Sequence, residues 1–203
     1  ASSITGNEGN SKTLILISST ANATNVGNKF RGVSVPGVLC KGDLFDDMSM
    51  VANTSSLGTQ TSQSTLTIVD TAHPLAAGLT GTPSVTSQTS NFTWGTPPTS
   101  PTPVAAKGAR IFNQSTRFCS FGFTAGQVMA ASFAAPARRV GFFLTDSTAT
   151  VLNTNGWKLF DSAVLWAANV ANSEPIVSAG PDRAVTIPAA ASLDGTVSAD
   201  GMP

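Results

Sequence analysis

The run Thr13-Leu14-Ile15-Leu16-Ile17, closed by Ser18-Ser19-Thr20, decides how the chain is read. An unbroken row of large aliphatic side chains has no wet face, so it suits a strand covered on both sides, as in a parallel sheet. A short helical segment is expected around Val26 to Arg31, and a second apolar run follows, Val35-Pro36-Gly37-Val38-Leu39-Cys40. Asp43-Leu44-Phe45-Asp46-Asp47-Met48 then reads as a helix whose acids sit at its positive N-terminal end. Strand, helix, strand, helix predicts an α/β fold.

Further along, Thr65-Leu66-Thr67-Ile68-Val69 alternates as a strand does, and His73-Pro74-Leu75 opens a loop or short helix. Residues 82–106 are rich in Thr, Pro and Ser, with Val85, Phe92 and Trp94 alternating, which suggests twisted edge strands around a Pro-rich turn at 97–103. Strands are expected near 109–113, 117–123 and 128–133, and Arg138-Arg139-Val140-Gly141-Phe142-Phe143-Leu144 reads as one more buried strand. The strongest helix is predicted over 155–171, where Trp157, Phe160, Val164, Ala167 and Ala171 recur at helical spacing, and Trp157 and Trp166 are both assigned to the core. After Ser173-Glu174-Pro175 the pattern reverts to strand, turn, strand. The expected organisation is a polar lead-in over 1–12, a Rossmann-like α/β module over 13–172, and a linker with a partial β segment over 173–203.

Charged residues make up 11% of the chain, less than half the usual ~25%, so its polarity rests on Ser, Thr, Asn, Gln and Gly. Eleven basic residues against eleven acidic ones remove the electrostatic footprint of a nucleic-acid binder, and no apolar window is long enough to insert in a membrane. Low charge, abundant hydroxyls and two cysteines fit a secreted or cell-surface protein. Four N-x-[ST] sequons, at Asn22, Asn53, Asn91 and Asn113, are glycosylation candidates in that setting.

The run Leu14 to Ser19, the stretch Leu44 to Met48, His73-Pro74-Leu75-Ala76-Ala77-Gly78, the block Pro136 to Leu144 and Gly156-Trp157-Lys158-Leu159-Phe160-Asp161 together resemble a module of large bacterial extracellular proteins. That module is similar to the ThuA-like and class I glutamine amidotransferase-like superfamily. The resemblance implies a flavodoxin-like, mostly parallel sheet flanked by helices. The tail from Glu174, with Ala179-Gly180-Pro181-Asp182 and Ser192-Leu193-Asp194-Gly195, looks like the opening of a PKD-type immunoglobulin-like domain. Such modules begin with another strand and helix before the run matching Leu14 to Ile17, so this chain reads as N-terminally incomplete. An open sheet edge is a template for a further strand, which points to copies of the chain, or its own β-rich tail, completing the sheet by strand addition.

Cys40 is the sharpest candidate for catalysis. Gly37-Val38-Leu39-Cys40-Lys41-Gly42 puts a thiol at a strand end, similar to the nucleophile elbow of the amidotransferases. Their catalytic His follows the last strand, where this chain has Thr145-Asp146-Ser147-Thr148, so the base would have to be His73, the only histidine. Read from the residues alone, Cys40 is also open to a disulfide with Cys119, or to being one of two buried thiols. Asp43, Asp46 and Asp47 read as a solvated helix start rather than a metal cluster. Asp182, Asp194 and Asp200, in the PKD-like tail, are weak candidates for a cation. No cofactor motif is present, since no pair of glycines has the G-x-G-x-x-G spacing after a strand.

The expected function is a non-catalytic structural or assembly module of a multidomain secreted protein. The alternatives are a hydrolase using Cys40 and His73, and a polysaccharide-binding module contacting its ligand through exposed Trp94 and Phe92.

Overall fold

The computed structural model describes residues 4–102, 104–170, 176–178, 180 and 195–198. They belong to two compact units, 1–170 and 171–203. Asp182, Asp194 and Asp200 lie outside the described residues.

The first unit is built on one curled, mixed sheet of eight strands. β1 (Ile15–Ile17), β2 (Gly37–Leu39) and β8 (Arg139–Phe142) run parallel, with Ile15 against Gly37 and Gly37 against Arg139. Every other pairing is antiparallel. β7 (Phe118–Phe123) pairs with β8 on one side and β6 (Ala106–Ile111) on the other, and β6 carries β4 (Leu66–Ile68). β5 (Ser90–Gly95) joins β7 through Gly95 and Phe118 and carries β3 (Leu57–Gln63). In the second unit, β9 (Ile176–Ser178) pairs antiparallel with β10 (Thr196–Ser198).

A flavodoxin-like, mostly parallel sheet flanked by helices is therefore not what forms. The apolar runs at Leu14 and Arg138 do make parallel strands, but the expected helices between strands do not develop. The segment near Val26 to Arg31 yields one turn, α1 (Ala23–Val26), and Asp43 to Met48 gives only a 3-10 turn at Gly42–Leu44. Such short segments cannot recover the cost of helix nucleation without a long packed face. The strand expected at 128–133 is replaced by a 3-10 turn, Ala130–Ser132, inside a Val128–Ala134 bridge, with Ala131 and Ser132 at positive φ.

Pleating sends alternate residues of each strand to two separate cores. Val38, Cys40, Val140 and Phe142 face one core, which is covered by α3 (Thr154–Ala168) through Leu159, Ala163, Trp166 and Ala167. Ile17, Leu39, Phe121 and Phe123 face the other, which is covered mainly by the loop carrying Leu44, Phe45, Met48 and Met50, with Val26 of α1 beside it. Phe45 meets Phe121 edge to face at 5.4 Å. A bulge at Cys119, where Ala109 pairs with Ser120 but Arg110 with Phe118, gives Cys119 to the first core while Phe118 stays with the second. Gly122 lets the Trp166 ring lie on β7, since a Cβ there would stand 2.6 Å from the indole.

α3 is capped at both ends. Asn153 accepts hydrogen bonds from the N–H groups of Asn155 and Gly156, and Asn169 closes the helix in the left-handed conformation. Its buried stripe is Gly156, Leu159, Ala163, Trp166 and Ala167, one position away from the stripe read in the sequence. Trp166 is core as expected; Trp157 is 46% exposed and is not.

The polar lead-in is packed where it is described. Residues Asn7–Gly9 form a 3-10 turn, and Gly9 is buried so close to Ile15 and Val33 that a Cβ would clash with them.

Candidate functional site

The carboxyl ends of β1, β2 and β8 open into a cleft of about 380 Å³. A crevice outside the carboxyl ends of parallel strands is where open α/β sheets place their ligands, because loops diverge there and leave backbone and side chains pointing into one space. Each strand contributes the residues that follow it: Ser19 after β1, Cys40 to Asp43 after β2, and Thr145 to Ser147 after β8. The far wall comes from the antiparallel half of the sheet, through Gly58 and Thr59 of β3 and Asn91 and Thr93 of β5.

Local hydrogen bonds hold these walls together. Ser19 Oγ donates to Asp146 Oδ1, tying the β1 loop to the start of α2 (Asp146–Ala149). Thr145 caps that turn by accepting from the Thr148 N–H at 3.3 Å. The hydroxyls of Thr145 and Thr148 both donate to the Asn91 carbonyl, and Ser90 Oγ lies 3.1 Å from Ser147 Oγ, so side-chain hydroxyls fasten α2 to β5. On the β2 side, Lys41 Nζ pairs with Asp43 Oδ2 at 3.0 Å. Gly42 is required by close approach: a Cβ there would come within 2.3 Å of Thr93 Cγ2.

Several polar groups in the cleft remain unengaged. Among the described residues, the Asn91 carboxamide, the Thr93 hydroxyl and Asp146 Oδ2 have no hydrogen-bond partner. Thr93 is only 4% exposed, yet it lines the cleft.

Cys40 borders the cleft but is 2% exposed and belongs to the core under α3. Burial pushes its thiol up to about 12, because the charged form would be stranded away from water. His73 does not line the cleft. It starts the 3-10 turn Pro74–Ala76, where Nδ1 accepts the Leu75 N–H at 3.1 Å, and its ring packs against Trp166 at 5.3 Å. Desolvation lowers its pKa, and Arg138 lowers it further against the opposing pull of Asp70. No hydrogen bond joins it to Cys40.

No family model matches this chain, no curated protein matches it, and no solved structure matches it. What the site can do must come from its own chemistry.

Cys40 and Cys119 are separate free thiols, both buried, and burial raises the Cys119 pKa as well. Asp43, Asp46 and Asp47 do not converge: Asp43 is paired with Lys41, and burial beside Asp46 raises the Asp47 carboxyl. Among the described residues no three His, Cys, Asp or Glu side chains are grouped to hold an ion. Phe92 is fully buried, and partly buried Trp94 has the Arg117 guanidinium 4.6 Å over its ring, so neither offers a bare aromatic platform. All four sequon asparagines are exposed, and Asn91 lines the cleft.

Sequence reasoning singled out Cys40, named Thr145-Asp146-Ser147-Thr148 only as the place that lacks a histidine, and missed Ser19, Thr59 and Thr93 as residues of the cleft. The one signal that could have found Ser19 is its place just past the end of an apolar strand.

Proposed function

We propose that the chain is a non-catalytic module of a multidomain secreted or cell-surface protein, and that its cleft binds a ligand without converting it. The observation that carries this reading is the state of Cys40. The residue is 2% exposed and packed in the core under α3, and that burial pushes the thiol up to about 12, so the thiolate is disfavoured at neutral pH. The only imidazole in the chain caps a turn against Trp166 instead of facing that sulfur. A cysteine hydrolase needs both a thiolate and a base within hydrogen-bond reach. The extracellular setting is supported by the 11% charged composition and by the motifs that resemble bacterial extracellular modules.

The test is a screen of ester, amide and glycoside substrates with the full chain and with Cys40→Ala. The expected result is no turnover by either protein. Turnover that disappears with Cys40→Ala would overturn the reading in favour of the hydrolase alternative.

A second reading, assembly by strand addition, has its own observation. β1 is an edge strand, pairing only with β2 among the described residues, and Leu16 on it is 50% exposed. An unprotected edge with an exposed apolar residue is a template for a second copy. Light scattering at high protein concentration tests it: a dimer that Leu16→Lys dissociates supports assembly, and a strict monomer rejects it.

A further inference from the structure

We propose that the cleft at the carboxyl ends of β1, β2 and β8 recognises a neutral, polyhydroxylated ligand, a short stretch of saccharide. This rests on the reading of the site as one that binds without turnover.

The size and the polarity of the cleft carry the inference. At about 380 Å³ it lies at the small end of ligand pockets, which usually range over ~300–1,000 Å³. Such pockets are mostly apolar, with a few polar groups. This one is mainly polar, because its walls are hydroxyls, a carboxamide, carboxylates and the Lys41 ammonium, and the apolar contributions come from two glycines, the threonine methyls and the edge of Cys40. An apolar ligand would have to desolvate those groups and return nothing.

The unengaged groups narrow the choice. Asn91 can donate twice and accept, the Thr93 hydroxyl can donate and accept, and Asp146 Oδ2 can only accept. Vicinal diols answer that set, since each hydroxyl both donates and accepts, and a carboxylate is the strong acceptor for their protons. Thr93 is the most telling member. Its backbone is locked in β5, where its N–H donates to the Phe143 carbonyl at 3.0 Å, and although the residue is only 4% exposed it lines the cleft, with its hydroxyl engaged by none of the described residues. A hydroxyl held on a fixed strand at the wall of a cleft is a preorganised donor and acceptor for a ligand group.

Charge excludes the acidic alternatives. Among the described residues Lys41 is the one cation lining the cleft, and it is paired with Asp43, which leaves the Asp146 carboxylate unbalanced. A phosphate or uronate would meet a site that is negative on balance. With no bare aromatic face, binding relies on hydrogen bonds, and affinity will be modest.

The experiment titrates the full chain, isotopically labelled, with mannotetraose, cellotetraose, N-acetylchitotetraose, the corresponding monosaccharides, and tetragalacturonate as the anionic probe. The readout is amide chemical shifts. At least one neutral saccharide is expected to move the amides of Ser19, Lys41–Gly42, Asn91–Thr93 and Asp146, whereas tetragalacturonate does not. Response to tetrasaccharides but not monosaccharides identifies a polymer as the natural source; response to both identifies a free sugar, and either supports the proposal. Thr93→Val keeps shape and removes the hydroxyl, and is expected to weaken binding about threefold to tenfold. Asp146→Asn, which tests the charged acceptor independently, should weaken it by about tenfold. Native-like spectra of both variants establish that the fold is intact. No neutral saccharide shifting these amides, tighter binding of tetragalacturonate, or binding indifferent to both substitutions would each overturn the proposal. Spectra of the saccharides themselves, followed over days, separate the two claims: cleavage refutes the non-catalytic reading, while absence of binding without cleavage refutes only this one.

Discussion

Arg139 donates a hydrogen bond of 2.8 Å to the Val35 carbonyl across 104 positions of chain, and among the described residues no carboxylate pairs with it. The same guanidinium reaches the carbonyls of Phe30, Arg31 and Val33, so the loop between α1 and β2 is wrapped around one buried cation. Burial lowers its pKa to about 10, which still leaves it charged at neutral pH, and the carbonyl dipoles take the place of a counter-ion. This loop delivers the chain into β2 and so positions Cys40 to Asp43 at the cleft. Arg139→Met leaves several carbonyls without donors in a dry site and is expected to cost about 3 kcal/mol or more, read as a lowered urea midpoint. Arg139→Lys should recover only part of the loss, because an ammonium has three donors and no fork geometry.

The parts of the fold that were legible are the ones written as unbroken apolar runs. Leu14 to Ile17 and Val140 to Leu144 are apolar without a break and read as buried strands; both form parallel strands, β8 buried throughout, whereas β1 lies at the sheet edge with Leu16 half exposed. The antiparallel half was harder to read. In β7 every residue of Phe118-Cys119-Ser120-Phe121-Gly122-Phe123 is buried, and the bulge at Cys119 breaks the alternation that would have shown which faces it serves. Asp43 to Met48 looked helical because of its acids and spacing, but Leu44, Phe45 and Met48 are instead the cover of the second core, held as a loop. On α3 two neighbouring stripes are both plausibly apolar, and only packing against β2 and β8 chooses between Trp157 and Trp166. The cleft was nearly invisible, since its Ser, Thr and Asn residues are scattered over four segments that meet the Cys40–Asp43 turn, and none of these has a spacing signature.

Gly42 tests whether the cleft has the tight geometry described. Its missing Cβ leaves room for Thr93 Cγ2, and Thr93 is β-branched, 4% exposed and fixed in β5, so it cannot swing aside. Gly42→Ala is expected to destabilise the fold by about 1–3 kcal/mol and to move the amides of Thr93 and Asn91 more than those of α3. A thermally silent substitution with unchanged spectra would mean that the two segments are not in contact.

His73 gives the molecule a pH dependence whose sign follows from its lowered pKa. In the folded state the imidazole stays neutral to lower pH than in the unfolded chain, where it titrates near 6.5. Between those two values the unfolded state binds more protons, so stability falls as pH drops through the window and is retained above about 6.5. Structurally, protonation removes the Nδ1 lone pair that accepts the Leu75 N–H and places a cation beside Arg138. His73→Asn keeps a capping acceptor without the titration. Its melting temperature should therefore be flatter across the window than that of the wild type.

Native-state alkylation distinguishes a core thiol at Cys40 from a poised nucleophile. If the thiol is buried and held protonated, iodoacetamide at about pH 8 labels neither Cys40 nor Cys119 in the folded chain, and both react once it is unfolded without reductant. Rapid labelling of Cys40 in the native protein, titrating well below about 8.5, would contradict the account, because it would put an activated nucleophile in the cleft.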